Sequence, residues 1–171
     1  MHPDRDDPPS AAIARWAAFV PADGEVLDVA AGAGRHARFF ADRGHRVLAV
    51  DRDLTALRAA PHPRIDLLTA DLEHAPWPLT GRTFAAVVVT NYLWRPLLPH
   101  LIAAVAPGGV LLYETFAVGH QRFGRPRNPD FLLREGELLE ALRGELEVLE
   151  YWHGEEGTPP TAVRQRALAR R

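Results

Sequence analysis

Short apolar runs alternate with amphipathic stretches through the first two thirds of the chain, and the alternation predicts its elements. Behind Ser10, an N-cap residue type, Ile13, Trp16, Ala17 and Val20 recur at helical spacing over 10–20, and Pro21 to Gly24 ends the pattern. Residues 25–30 (EVLDVA) form an apolar run ending in small residues, as a buried parallel strand entering a tight turn would. A helix over 36–43 follows, stopped by Gly44. The cycle repeats: strand 46–50, helix 54–59, strand 65–70, a proline-rich loop, strand 84–90 (FAAVVVT), helix 97–105, a Pro107-Gly108-Gly109 turn and strand 110–116. Strands alternating with helices imply a parallel sheet with right-handed crossovers.

After Phe116 the texture changes. Residues 117–128 carry two glycines, three arginines and no apolar periodicity, so a long loop is expected. A helix over 135–142 follows. The last two segments, 147–152 and 161–169, alternate polar with apolar and are joined by a Gly/Pro-rich turn, which predicts an antiparallel hairpin at the sheet edge. A flexible N-terminus (1–9) and one domain (10–171) complete the expected organisation, since 171 residues suit a single α/β domain without a second substrate domain.

Composition removes whole mechanisms. The chain has no Cys, and all 20 basic residues are Arg, so thiolate nucleophiles, Schiff-base lysines and the phosphate-gripping lysine of a P-loop are impossible. Net charge of −2 gives no general attraction to a polyanion. No apolar run reaches the roughly 20 residues of a membrane span, and the start of the chain has no secretory core region. A cytoplasmic, membrane-free protein is expected. The histidines have no metal-ligand spacing, and no metal is expected; His36, beside Arg35 at a helix start, reads as a helix-terminus donor.

The segment Asp28-Val29-Ala30-Ala31-Gly32-Ala33-Gly34-Arg35-His36-Ala37 fits two templates. Gly32, Gly34 and Ala37 satisfy a dinucleotide fingerprint, with Asp51 near the position of a ribose-binding acid. Asp28 separates the readings, because a strand-end carboxylate opposes a pyrophosphate at the helix start. It favours a ligand carrying an ammonium and a sulfonium. Asp51 would then accept from both ribose hydroxyls, Asp71 from the adenine amine, and Leu72 would pack on the ring.

VLDVAAGAGRHARFFADRGHRVLAVDRD resembles the first two motifs of class I S-adenosylmethionine-dependent methyltransferases, and TADLEHAPWPL, FAAVVVTNYLW and APGGVLLYETF follow in that superfamily's order. The resemblance implies a Rossmann-like, mostly parallel seven-stranded sheet of order 3-2-1-4-5-7-6, with helices on both faces and a C-terminal antiparallel hairpin. The Gly34-Arg35 step and the stretch Phe131 to Leu138 resemble the tellurite-resistance methyltransferases, although the loop 116–129 departs from their pattern, so their substrate is not carried over. By this resemblance Asp28, Ala30, Gly32, Gly34, Asp51, Arg52, Asp71, Leu72 and Asn91 form the site for S-adenosylmethionine and its product S-adenosylhomocysteine.

Methyl transfer is an in-line displacement at an activated carbon, so a general base is optional. Tyr92, Glu114 and His120 are the candidates for catalytic roles, and Tyr92 or Trp94 could face the sulfonium. Arg95, Arg122 and Arg125 are the candidates for holding a small acceptor, anionic if the arginines of loop 117–129 close over it. Three other readings stand beside this one. They are an RNA methyltransferase using Arg164, Arg166, Arg170 and Arg171 as a phosphate track, a non-catalytic cofactor-binding protein, and an NAD-dependent oxidoreductase. The sequence leaves the acceptor's identity and the oligomeric state open.

Overall fold

Runs rich in valine and free of interior charge, such as 84–90, become central strands, because only a parallel sheet covered on both faces buries every side chain of such a run. The computed structural model describes residues 7–171. One sheet holds β1 (Val26–Val29), β2 (Val47–Asp51), β3 (Ile65–Thr69), β4 (Phe84–Thr90), β5 (Val105–Phe116), β6 (Glu147–Glu156) and β7 (Ala162–Arg170), in the order β3-β2-β1-β4-β5-β7-β6. The first five strands run parallel; β7 lies antiparallel between β5 and β6. This is the expected architecture.

Alternation along each strand feeds two cores. Val26, Val47, Ala86, Val88 and Leu112 face α1 (Ala11–Trp16), α2 (Arg35–Asp42) and α3 (Thr55–Ala59), while Leu27, Val87, Leu111 and Tyr113 face α4 (Leu98–Ala103) and α5 (Glu137–Leu142). The strand order reverses between β1 and β4, so their C-terminal ends open a crevice where α/β sheets take ligands.

Several expectations shift. The helix expected over 10–20 ends at Trp16 and closes as a 3-10 turn over Ala17–Phe19. Ser10 precedes it without capping it, because its hydroxyl donates to Glu114 Oε2 at 3.0 Å. The strand expected over 147–152 runs on to Glu156, since pairing with β7 carries it through the Gly/Pro-rich region. Loop 117–128 carries order that its composition concealed: a 3-10 turn spans His120–Arg122, and Ala117 bridges to Leu133. Of the flexible segment expected over 1–9, residues 1–6 lie outside the described residues; the Pro8 carbonyl accepts from Arg35 Nη1 at 3.5 Å.

Candidate functional site

The β1–α2 turn sets the geometry of the crevice. Gly32 has φ +55° and Gly34 φ +84°, left-handed conformations that L side chains resist. At Gly34 a Cβ would also lie 2.3 Å from Leu57 Cδ2, so this glycine lets α2 start against α3. At Gly32 an added Cβ meets nothing within 4 Å, which leaves the backbone open to a ligand. Ala30 (φ +55°) and Asn91 (φ +54°) hold left-handed conformations without being glycine. Both lie at strand ends beside the crevice, where such strain tends to collect.

Two cavities meet at Ala30 and Gly32. The first, about 340 Å³, is framed by Asp51, Arg52, Asp71, Leu72 and Tyr92. Asp51 Oδ2 accepts from the Gly32 amide at 2.8 Å and its Oδ1 from the Asp53 amide at 2.9 Å, so one carboxylate ties the glycine loop to the end of β2. Asp71 Oδ1 accepts from the Glu73 and His74 amides, each at 3.0 Å. Those amides, with the His74 ring, hold its carboxyl below the usual carboxylate range. Leu72 is buried against the main core, and Tyr92 is half-buried with a hydroxyl that has no protein partner. Burial, reinforced by Glu73 and Asp71, raises the Tyr92 phenol well above its ordinary value, so it stays neutral.

The second cavity, about 1010 Å³, has the opposite polarity. Arg35, Arg125 and Arg127 line it together with His36, Phe116 and Phe131, and among the described residues no carboxylate does. His36 is buried; its Nε2 accepts from the Ser10 amide at 3.1 Å, and its Nδ1 lies 3.2 Å from Thr90 Oγ1. An amide only donates, so Nε2 carries no proton and Nδ1–H donates to Thr90. Burial, with Arg35 adding to it, pushes the ring down to about 3, consistent with that neutral tautomer. His36 therefore accepts at Nε2 from the start of α1 and donates at Nδ1 to the end of β4, rather than donating at a helix terminus.

Asp28 sits behind the loop and lines neither cavity. It is buried, the Ala37 amide hydrogen-bonds its carboxyl, and its Oδ2 has no protein partner. Burial raises it to about 7, Asp51 adds to the shift, and the Ala37 amide and Arg35 oppose it. It organises the turn from below.

A family model described as a methyltransferase domain matches residues 26–109. The chain is 33% identical over 106 residues to a malonyl-[acyl-carrier protein] O-methyltransferase of Serratia marcescens, covering 56% of this chain and 39% of that one. It is 31% identical over 118 residues to a demethylmenaquinone methyltransferase of Renibacterium salmoninarum, covering 64% of this chain and 48% of that one. It thus spans under half the length of these curated relatives. Its fold matches TehB of Haemophilus influenzae with a TM-score of 0.71 at 20% identity, over 93% of this chain and 61% of that one. Residues 26–109 thus match a methyltransferase domain, and the chain as a whole has the fold of S-adenosylmethionine-dependent methyltransferases. An antiparallel β7 inserted between β5 and β6 also separates this sheet from the 3-2-1-4-5-6 order of dinucleotide-binding folds.

Several residues singled out by sequence have other work in this fold. Glu114 falls on the face covered by α1 and α2, pairs with Arg166 and Arg164, and accepts from Ser10; it is a buried ion-pair centre away from both cavities. His120 is buried, with Nε2 2.9 Å from the Arg125 carbonyl and Nδ1 accepting from the Val163 amide at 3.4 Å. Both ring nitrogens are committed, which removes it as a base. Arg95 pairs with Glu137 and donates to the Asp130 and Leu132 carbonyls, clamping the chain before α5 and lining no cavity. Arg122 pairs with Glu155 on the hairpin at 2.7 Å. Trp94 packs against the main core rather than facing a cavity.

Of the tail arginines, Arg166 and Arg164 pair with Glu114 and Glu156, and Arg171 donates to the Ile102 carbonyl. Three of the four are thus engaged within the chain. Sequence reading missed Arg35, Thr90, Phe116 and Phe131 as cavity residues. Their positions at the starts or ends of β-strand-flanking turns were the available signal. Among the described residues no group of three or more His, Asp or Glu is placed to hold a metal ion, and no helix is long and apolar enough to cross a membrane.

Proposed function

We propose that this protein transfers a methyl group from S-adenosylmethionine to a small-molecule acceptor. The observation that carries the reading is the junction of an acid-framed cavity and an arginine-lined cavity at Ala30 and Gly32. The donor supplies a methyl carbon whose bond to sulfur breaks with the electron pair staying on sulfur, as an acceptor lone pair forms the new bond.

The chain's own residues fit that donor. Asp51 turns its remaining lone pairs to the two ribose hydroxyls, while the Gly32 and Asp53 amides hold its carboxylate in place. Asp71 accepts from the adenine amine, Leu72 packs on the ring, and Arg52 and Tyr92 close that end. Gly32 and Gly34 let the main chain approach the methionine end, Ala30 and Asn91 border it, and Arg35 faces its carboxylate. Asp28 acts on the donor through the turn it supports, its protonation responding to the incoming positive charge.

Binding in two abutting cavities aligns donor and acceptor and excludes water, which is most of what an in-line displacement requires. The curated relatives are named for acting on a malonyl-carrier conjugate and on a demethylmenaquinone, and the fit of a compact organic acceptor here agrees with that chemistry. Calorimetry with S-adenosylmethionine, S-adenosylhomocysteine and NAD tests the donor: strong binding of the first two and none of NAD is expected, and silence with the first two overturns the reading. Release of S-adenosylhomocysteine over a panel of small acids, phenols and heterocycles, with total tRNA alongside, tests the acceptor class.

A further inference from the structure

The larger cavity carries more information than its charge. Arg82, Arg95, Arg122, Arg164 and Arg166 are each ion-paired, whereas the side chains of Arg125 and Arg127 have no acidic partner among the described residues. Yet the main chain bearing them is fixed. His120 Nε2 holds the Arg125 carbonyl, Asn128 Oδ1 accepts from the Asp130 amide, and the Val118 amide donates to Leu133 at 3.0 Å beyond them. Two arginines with no acidic partner among the described residues thus line one cavity from an anchored loop.

Beside them stands an apolar ring. Phe131 is 39% exposed although its neighbours Leu132 and Leu133 are buried, and its amide is tied to the Asn128 carbonyl. The other ring of the cavity, Phe116, is already covered, with His120 stacked at 4.0 Å and Arg164 over it at 4.1 Å. Phe131 is therefore the ring left to pack on a ligand. Guanidinium groups pair with planar oxyanions through two parallel hydrogen bonds, and an exposed phenyl ring stacks on a flat partner.

At the opposite end the polar groups are used up as bases. His36 Nε2 takes the Ser10 amide, Asn91 Oδ1 takes Arg164 Nη1 at 2.6 Å, and among the described residues no carboxylate lines this cavity. An acceptor there has to bring a lone pair that needs no proton removed, such as a heteroaromatic nitrogen or an ionised oxygen.

Building on the methyltransferase reading above, we propose that the cavity takes a flat aromatic or heteroaromatic monoanion, its anionic group between Arg125 and Arg127 and its ring on Phe131. The experiment is calorimetry on protein saturated with S-adenosylhomocysteine, with nicotinate, nicotinamide and cyclohexanecarboxylate as probes. Nicotinate is expected to bind at least about tenfold tighter than nicotinamide, the scale of a lost desolvated charge pair. It should also bind several-fold tighter than cyclohexanecarboxylate, which keeps the charge and loses the aromatic face.

The double variant Arg125→Ala, Arg127→Ala should lose the preference for nicotinate over nicotinamide while binding S-adenosylhomocysteine as before, which also shows that it folds. Phe131→Ala should lose only the preference over cyclohexanecarboxylate. Equal binding of nicotinate and nicotinamide, no binding of nicotinate, or an unchanged charge preference in the double variant overturns the proposal and leaves the methyltransferase reading intact. Failure of the unaltered protein to bind S-adenosylhomocysteine removes both.

Discussion

The two halves of the crevice solve opposite electrostatic problems. On the β1–β3 side, Asp51 and Asp71 are held in orientation by main-chain amides, with only the His74 ring added beside Asp71. On the β4–β5 side, Arg125 and Arg127 have no acidic partner among the described residues, on a loop whose main chain is tied down. A carboxylate can be positioned by amides within its own turn, but a guanidinium finds only carbonyls and carboxylates. An arginine left for a ligand must be kept away from carboxylates, and among the described residues the larger cavity has none in its lining. The halves meet at Ala30 and Gly32, and the left-handed conformations of the non-glycine residues Ala30 and Asn91 each cost on the order of 1 kcal/mol.

The largest expected effect lies beneath the junction. Asp28 is raised to about 7 by burial, so the native state holds a proton that the unfolded chain gives up near pH 4. Between those values the native state binds more protons, and stability falls as pH rises. Chemical denaturation of Asp28→Asn should therefore show a gain over the unaltered protein that grows from about zero near pH 4 to as much as about 4 kcal/mol above pH 7. A pH-independent difference would mean that the Asp28 carboxyl is solvated.

Asp51→Ala comes next and attacks the acidic half alone. It removes the ribose acceptor and frees the Gly32 and Asp53 amides. With charge-assisted bonds contributing about 1.5–3 kcal/mol each, calorimetry should show S-adenosylhomocysteine weakened more than about 100-fold. Nicotinate binding, measured in the absence of the cofactor product, should change little. A parallel loss of both would make the crevice one site rather than two.

The contrast between the halves was only partly legible in the sequence. The strands and the glycine turn were readable because periodicity and glycine spacing are local signals, whereas the strand order was legible only through the family resemblance. The acids at strand ends were readable because their positions follow from strand length. Arg95 and Arg122 were not, since their partners Glu137 and Glu155 lie 42 and 33 residues away. Glu114 and His120 failed for the same reason: a polar residue near a crevice looks reactive until its non-local partners are known. Phe131 was missed because an exposed ring and a core ring share one letter.

Arg164 tests the acceptor half from behind. It donates to Asn91 Oδ1, lies over Phe116, and pairs with Glu114 and Glu156. Glu114 keeps Arg166 if Arg164 is replaced, so Arg164→Gln should cost about 2 kcal/mol rather than the full price of an orphaned buried charge. Stopped assays should show a raised acceptor KM with a smaller rise in the cofactor KM, because Phe116 and Asn91 lose their support while Asp51 and Asp71 do not.

Arg122 gives the smallest effect and the sharpest distinction. Its sequence neighbourhood is that of Arg125 and Arg127, and from sequence alone it belongs with them. Its guanidinium instead meets Glu155 on the hairpin, in a pair whose side chains are 60% and 47% exposed. Exposed pairs of this kind contribute about 0–1 kcal/mol, and salt screens them. Arg122→Ala should shift the denaturation midpoint slightly and leave the nicotinate preference at its original value. If the preference falls as it does for the Arg125 and Arg127 variant, Arg122 leaves Glu155 when a ligand arrives, and the loop as a whole carries the charge that the acceptor reads.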